Sequence, residues 1–292
     1  MKIEEQTKKL LNDMVGLLDV YTLALVYFDA KRMMKQSILM KDFVKIENIL
    51  DKLGLQFVLS DFFYLNKKEA WSDENSKIIY IGKNKEDVLF GKELESCIDS
   101  KNYCGYKQNK DIVYKYNGKH EHIFGELLGY PKCCINYFFH NLNENRTIFD
   151  LVKYCLSKTK KSHKLLNPLE YFIINHIPCS FDCKESLEIA NKNFSIYKKL
   201  TFLNNPISDF DEKYKYILFK TGDWIKSTMV NDINKYTYGN FYMQNNKSFE
   251  NIKNLLDKHL FKLGLVNDST IKIFNDKKIL TIKDILILDY SN

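Results

Sequence analysis

Hydrophobic positions recur at three- and four-residue spacing twice near the start of the chain, through Leu10, Leu11, Met14, Leu17 and Leu18, and through Phe43, Ile46, Ile49 and Leu50. That period predicts helices, and Gly54 is placed to stop the second one. The pattern then changes. LQFVLSDFFYL (55–65) and KIIYIG (77–82) are rich in β-branched and aromatic residues and predict strands. Asn84 is a good N-cap for a helix from Lys85 to about Ser100. Residues 101–120 are polar and tyrosine-rich, and are read as a loop with a short strand at 112–116.

From His120 to Asn141 the helical period returns, broken at Gly129-Tyr130-Pro131. A further helix is predicted over 147–158. KTKKSHK (158–164) is a basic loop, read as a solvated connector. An apolar segment, 169–177, leads into Pro178, and a long helix is expected over 181–203, with Pro206 marking its end. Further on, 223–230 is read as helical. Tyr236, Tyr238, Phe241 and Tyr242 suggest a strand, and 249–263 an amphipathic helix ending at Gly264. STIKIFNDKKILTIKDILIL alternates around Asn275-Asp276-Lys277-Lys278 and predicts a β-hairpin. The expected fold class is therefore α+β, mostly helical with a small mixed sheet and a C-terminal β-hairpin. The expected division is a 1–205 α+β domain and a smaller α/β region over 206–292.

Composition adds limits. At 292 residues, 45% hydrophobic and 28% charged, the chain has the make-up of a soluble globular protein with a sizeable core. The longest apolar stretch, 15–28, is interrupted by Asp19 and followed by Asp29, so no transmembrane helix is expected. MKIEEQTKKL lacks the apolar region of a signal peptide. The expectation is a cytoplasmic protein that does not touch a membrane. The net charge of +7 invites nucleic acid, but Arg32 and Arg146 are the only arginines, and arginine is the usual tool for bidentate phosphate and base recognition. Nucleic acid is thus not favoured over a small-molecule or protein partner. P-loop, G-x-G-x-x-G, H-E-x-x-H and G-x-S-x-G motifs are absent.

The chemistry lies in the cysteines, of which there are seven. In a reducing compartment clustered cysteines are ligands or reactive thiols rather than disulfides. Cys97, Cys104 and Cys155 are scattered and read as structural thiols. The others fall in two segments, GELLGYPKCCINYFFH (125–140) and NHIPCSFDCKES (175–186). Pro131 suits the first position of a helix, which puts Cys133 at its third. Ser180 suits an N-cap, which puts Cys183 one turn in. Both pairs are then at helix N-termini, where unpaired amides and the helix dipole favour thiolate. Four converging thiolates repel one another unless a cation or cluster binds them. Cys133, Cys134, Cys179 and Cys183 are accordingly the expected metal ligands.

The spacing of Cys179 and Cys183 suits zinc. Adjacent Cys133 and Cys134 suit it less, since neighbouring side chains diverge, and adjacent cysteines can bind different irons of one cluster. An iron–sulfur cluster is therefore placed ahead of zinc. His176 is the candidate catalytic residue, as base, ligand or hydrogen-bond partner of a thiolate. Glu126, His122 and His140 flank the first motif and are read as helix-surface residues. Lys132 and Lys184 would suit the site to an anionic substrate.

The paired strings GYPKCC–INYFF and HIPCSFDCKES resemble the G-Y-P-x-C-C and H-x-P-C-S-x-x-C motifs of domain-of-unknown-function family 483, and IIYIGKNKEDVLFGKELE also looks similar, so that the likeness covers roughly 78–200. The resemblance implies an intracellular archaeal protein, from an anaerobe such as a methanogen. It marks Gly129, Tyr130, Pro131, Cys133, Cys134, His176, Pro178, Cys179, Ser180 and Cys183. It implies no reaction. Three functions remain open: a four-cysteine metalloprotein handling sulfur or electrons, a metal-free thiol enzyme with Cys179 as nucleophile and His176 as base, and a zinc-stapled module that binds RNA or protein.

Overall fold

The computed structural model describes residues 3–64, 76–95, 103–104, 119–142, 148–167 and 173–203, and the strands 215–219, 223–227, 236–240, 261–267, 270–275, 278–283 and 285–289. The strand expected at 112–116 and most of the helix expected at 249–263 lie outside these residues. The chain forms two compact units, one of 1–137, 172–176 and 184–205, the other of 138–171, 177–183 and 206–292.

The first unit opens with α1 (Glu5–Asp13) and α2 (Val20–Tyr27). Leu10, Leu11 and Met14 are buried, as their spacing requires. Asp19 caps α2 by accepting the amide hydrogens of Tyr21 and Thr22. Next come β1 (Met33–Leu39), α3 (Phe43–Lys52), β2 (Gln56–Tyr64), β3 (Ser76–Gly82) and α4 (Lys85–Glu95). Asn84 caps α4, its side chain accepting from the Glu86 amide at 2.7 Å.

These strands and β4 (Tyr103–Cys104) form one sheet in the order β1-β3-β2-β4, with every pairing antiparallel. The α+β class holds, but this sheet is antiparallel rather than mixed. In this sheet the sequence does not foretell β1. Its MMKQSIL sequence has polar residues at its centre and no clean alternation, and it becomes a strand by pairing with β3 along its whole length. β3 is central, and its consecutive residues Ile78, Ile79, Tyr80 and Ile81 are all buried. A strand covered on both faces loses the polar alternation of a half-exposed one. α2 packs on β1 and β3, and α4 on β2 and β3.

One core cluster joins Met33, Ile78, Tyr80, Val88 and Leu94 to Phe124, Leu127 and Leu128 of the next helix, α5 (His120–Leu127), and Tyr130 packs against its edge. α6 (Lys132–Leu142) follows at once. The unit closes with α8 (Lys184–Tyr197), shorter at both ends than the expected 181–203 helix. Residues 181–182 form a turn, and 198–203 wind down in turns.

The second unit contains α7 (Ile148–Lys158), the 159–167 loop and the 177–183 turn. Its strands are β5 (Lys215–Phe219), β6 (Asp223–Ser227), β7 (Tyr236–Asn240), β8 (Phe261–Asn267), β9 (Thr270–Asn275), β10 (Lys278–Lys283) and β11 (Ile285–Asp289). They make two antiparallel sheets, β11-β5-β6-β7 and β10-β9-β8.

The predicted hairpin is β9–β10, closed by the Asn275–Lys278 pair. Two helix expectations are corrected. Residues 223–227 are a strand held between β5 and β7, and 261–263 begin β8 with Gly264 inside it. Phe261, Leu263 and Leu265 recur at a period of two, that of a strand. Register across the sheet, with Leu263 opposite Ile273 and Ile273 opposite Leu280, selects the strand.

Candidate metal centre

The α5–α6 corner is built by its glycines and its proline. Gly129 has φ +81, the left-handed conformation that suits glycine at a helix end. The Gly129 amide donates to the Glu126 carbonyl at 2.9 Å and the Tyr130 amide to the Gly125 carbonyl at 3.0 Å. Those two bonds are the Schellman pair that closes a helix C-terminus. Two residues later the Pro131 carbonyl accepts from the Cys134 and Ile135 amides at 3.0 and 2.9 Å, which opens α6. Pro131 is thus the residue before the helix, and Cys133 and Cys134 occupy its second and third positions, one earlier than expected. Gly125 lets α6 approach closely, since a Cβ there would stand 3.0 Å from Ile135.

The second pair stands on the 177–183 turn, which three bonds tie to the loop after α7. The Phe181 amide donates to Thr159 Oγ1 at 2.8 Å, the Lys160 amide to Asp182 Oδ2 at 3.0 Å, and the His163 amide to the Phe181 carbonyl at 2.9 Å. The Ser180 hydroxyl first, and then the backbone amides of Lys160, Asp182 and Lys161, hold the Asp182 carboxyl below its ordinary value. The basic 158–164 loop therefore anchors the turn. Ser180 is not the N-cap of α8. Cys183 is the last residue before that helix, and its amide donates to the Ser180 carbonyl at 3.1 Å.

The four sulfurs of Cys133, Cys134, Cys179 and Cys183 all lie within 4.8 Å of one another. The adjacent pair does not diverge, with Cys133 Sγ and Cys134 Sγ 3.7 Å apart. Cys134 and Cys183 are buried, while Cys133 and Cys179 are half-buried. The donor set fits a metal ion. In a tetrahedron with metal–sulfur bonds of about 2.3 Å, neighbouring sulfurs stand about 3.8 Å apart.

His176 is buried and Ser186, in the first turn of α8, fully so. His176 Nε2 lies 2.8 Å from Ser186 Oγ, which lies 3.1 Å from Cys134 Sγ. The histidine therefore reaches the cysteines through a serine. Its ring is 5.3 Å from that of Tyr130, and the Lys31 ammonium sits 5.2 Å from the Tyr130 ring centre. Burial raises the Tyr130 hydroxyl to about 12 and lowers Lys31 to about 8, the latter against the pull of the Asp19 charge.

Ser186 escaped the sequence reading. Its sulfur partner, Cys134, lies 52 residues earlier, so no local pattern signals it. Cys155 is fully buried, and its thiol is pushed far up, first by burial and then by Cys179, Asp182 and Cys183. It stays protonated, in keeping with a structural thiol. Glu126 faces Lys132 at 3.6 Å across the α5–α6 corner, and Lys184 and His140 are exposed.

Residues 107–205, about a third of the chain, match the family described as Protein of unknown function (DUF483). Both cysteine segments lie inside the match, whereas IIYIGKNKEDVLFGKELE lies before it. No curated protein and no solved structure matches the chain. Among the described residues no helix is long and apolar enough to cross a membrane.

Proposed function

We propose that Cys133, Cys134, Cys179 and Cys183 hold a single metal ion, zinc before iron, and that this tetrathiolate centre is the functional core of the protein. The observation that carries the reading is the sulfur spacing, 3.7 Å for the adjacent pair and at most 4.8 Å for the set. One tetrahedral ion needs that compactness. A four-iron cluster places an iron between each thiolate and the centre, and so holds its thiolates further apart. The iron–sulfur reading taken from the adjacent cysteines thus gives way to a mononuclear one, for which tetrahedral sulfur is suited to zinc.

The protein supplies two helix starts. Cys133 and Cys134 stand in the first turn of α6 and Cys183 just before α8, positions where the helix dipole favours negative charge. Cys133 and Cys179 form the half-exposed edge of the set, and Lys132 and Lys184 flank the ligands in sequence. That edge favours a second role, reaction or exchange with small sulfur-bearing or anionic molecules at the metal-bound thiolates.

Metal and acid-labile sulfide are to be measured after anaerobic purification. One metal per chain without sulfide is expected. Iron with stoichiometric sulfide would replace the mononuclear site with a cluster, and a folded protein containing neither would end the metal reading.

A further inference from the structure

The structure assigns Ser186, backed by His176, as a positioning residue that hydrogen-bonds Cys134 Sγ, which we propose makes Cys134 the anchored ligand and leaves thiol reactivity to the Cys133–Cys179 edge. This rests on the metal-centre reading and adds a division of labour among its four sulfurs. The geometry is a continuous chain, Cys134 Sγ to Ser186 Oγ at 3.1 Å and Ser186 Oγ to His176 Nε2 at 2.8 Å. All three residues are buried.

Ligation fixes the direction of this chain. A metal-bound cysteine has released its proton to solvent, so its sulfur can only accept hydrogen bonds. The Ser186 hydroxyl must then donate to Cys134 Sγ. Having used its one hydrogen, the Ser186 oxygen accepts, and Nε2–H of His176 donates to it. The ring of His176 is steadied by Tyr130, whose own ring packs on the core of the first unit. The outcome is two aligned dipoles aimed at one sulfur. Outer hydrogen bonds of this kind fix a ligand's position, and their loss weakens metal binding by about 10–100-fold.

A sulfur that accepts such a bond donates less charge to the metal and is a poorer nucleophile. Cys134 is also 2% exposed. Cys133 and Cys179 are half-buried and more open to solvent. Alkylating agents and oxidants are thus directed to Cys133 and Cys179, with Cys134 reacting last or only after metal loss.

The test uses the full chain loaded with Co(II), whose sulfur-to-cobalt charge-transfer bands report the electron richness of the ligands. In Ser186→Ala the bands are expected to move to lower energy and metal affinity, read by chelator competition, to fall about 10–100-fold. In the same variant Cys134 is expected to be alkylated faster, as mapped by mass spectrometry of the metal-loaded protein. Unchanged bands and affinity in a folded Ser186→Ala variant would overturn the assignment while leaving the metal centre intact. A wild-type chain that shows no charge-transfer bands at all would instead refute the metal centre itself. Should Ser186→Ala not fold, the comparison passes to His176. His176→Gln keeps an N–H donor near the Nε2 position and should retain the wild-type spectrum. His176→Leu removes the donor and should shift the spectrum, whereas identical spectra for the two would overturn the proposal.

Discussion

At the residue scale the site separates cysteines that converge from one that does not. Cys155 is fully buried and held protonated by its surroundings, whereas the other four sulfurs share one small volume. Changing any of Cys133, Cys134, Cys179 or Cys183 to serine is therefore expected to lower metal content well below one per chain. Cys155→Ala should leave it at the wild-type value, and elemental analysis of the five purified variants checks the contrast. Gly129 matters for a different reason. The nearest atom to where its Cβ would be, Lys31 Cγ, is 3.9 Å away, so the obstacle to substitution is conformational, with φ +81. Gly129→Ala is expected to destabilise the protein by about 1–2 kcal/mol, the cost of a non-glycine residue in the left-handed region. Urea unfolding of the metal-loaded protein measures it. Gly129 and Pro131 were legible because their roles depend on local backbone chemistry. Ser186 was not, since its sulfur partner is 52 residues away.

At the element scale the second cysteine pair depends on a turn tied to a loop. His163 sits in that loop, its Nδ1 accepting the Leu165 amide hydrogen at 3.3 Å. An accepting Nδ1 belongs to the neutral ring, and burial first, then Lys164 and Lys161, lower the His163 pKa. The unfolded chain, with a histidine pKa of about 6.5, binds the proton at higher pH than the folded one does. The contribution of His163 is thus fully present above that value and is lost as pH falls through it toward the folded pKa. Imidazole nitrogen shifts are expected to show a titration midpoint for His163 below 6.5, and a midpoint above it would contradict this geometry. The same loop shows what single-sequence reading misses. KTKKSHK reads as solvated because of its lysines, yet its backbone donors anchor the cysteine turn. Side-chain polarity carries no information about where the amides bond.

At the scale of the molecule, metal binding and folding are expected to be linked. Four ligands drawn from two segments some 50 residues apart meet only in the folded chain, so a metal that binds there stabilises it. Removal with a chelator should lower the melting temperature, and re-addition of Zn(II) should restore it. Equal melting temperatures with and without metal, at full occupancy, would contradict this linkage. Such a dependence adds to the stability that the first unit draws from its own core. There Lys35 of β1 makes an ion pair with both carboxylate oxygens of Glu95, the last residue of α4, at 2.9 and 2.7 Å.

The sequence by itself determined the elements whose signals are local. These include the periodic helices α1 and α3, the Asn84 cap, the Gly129–Pro131 corner, the β9–β10 hairpin and the first cysteine segment at a helix start. Hydrophobic period, capping chemistry and turn preference act over a few residues, so one chain suffices to read them. Tertiary structure decided the rest. Pairing with β3 made β1 a strand despite its polar centre, and pairing with β5 and β7 made 223–227 a strand rather than a helix. In the site, the fold brought four sulfurs within 4.8 Å and placed a serine between His176 and Cys134. Those are distances between residues far apart in sequence, set by how the helices and the turn pack, and no local preference encodes them.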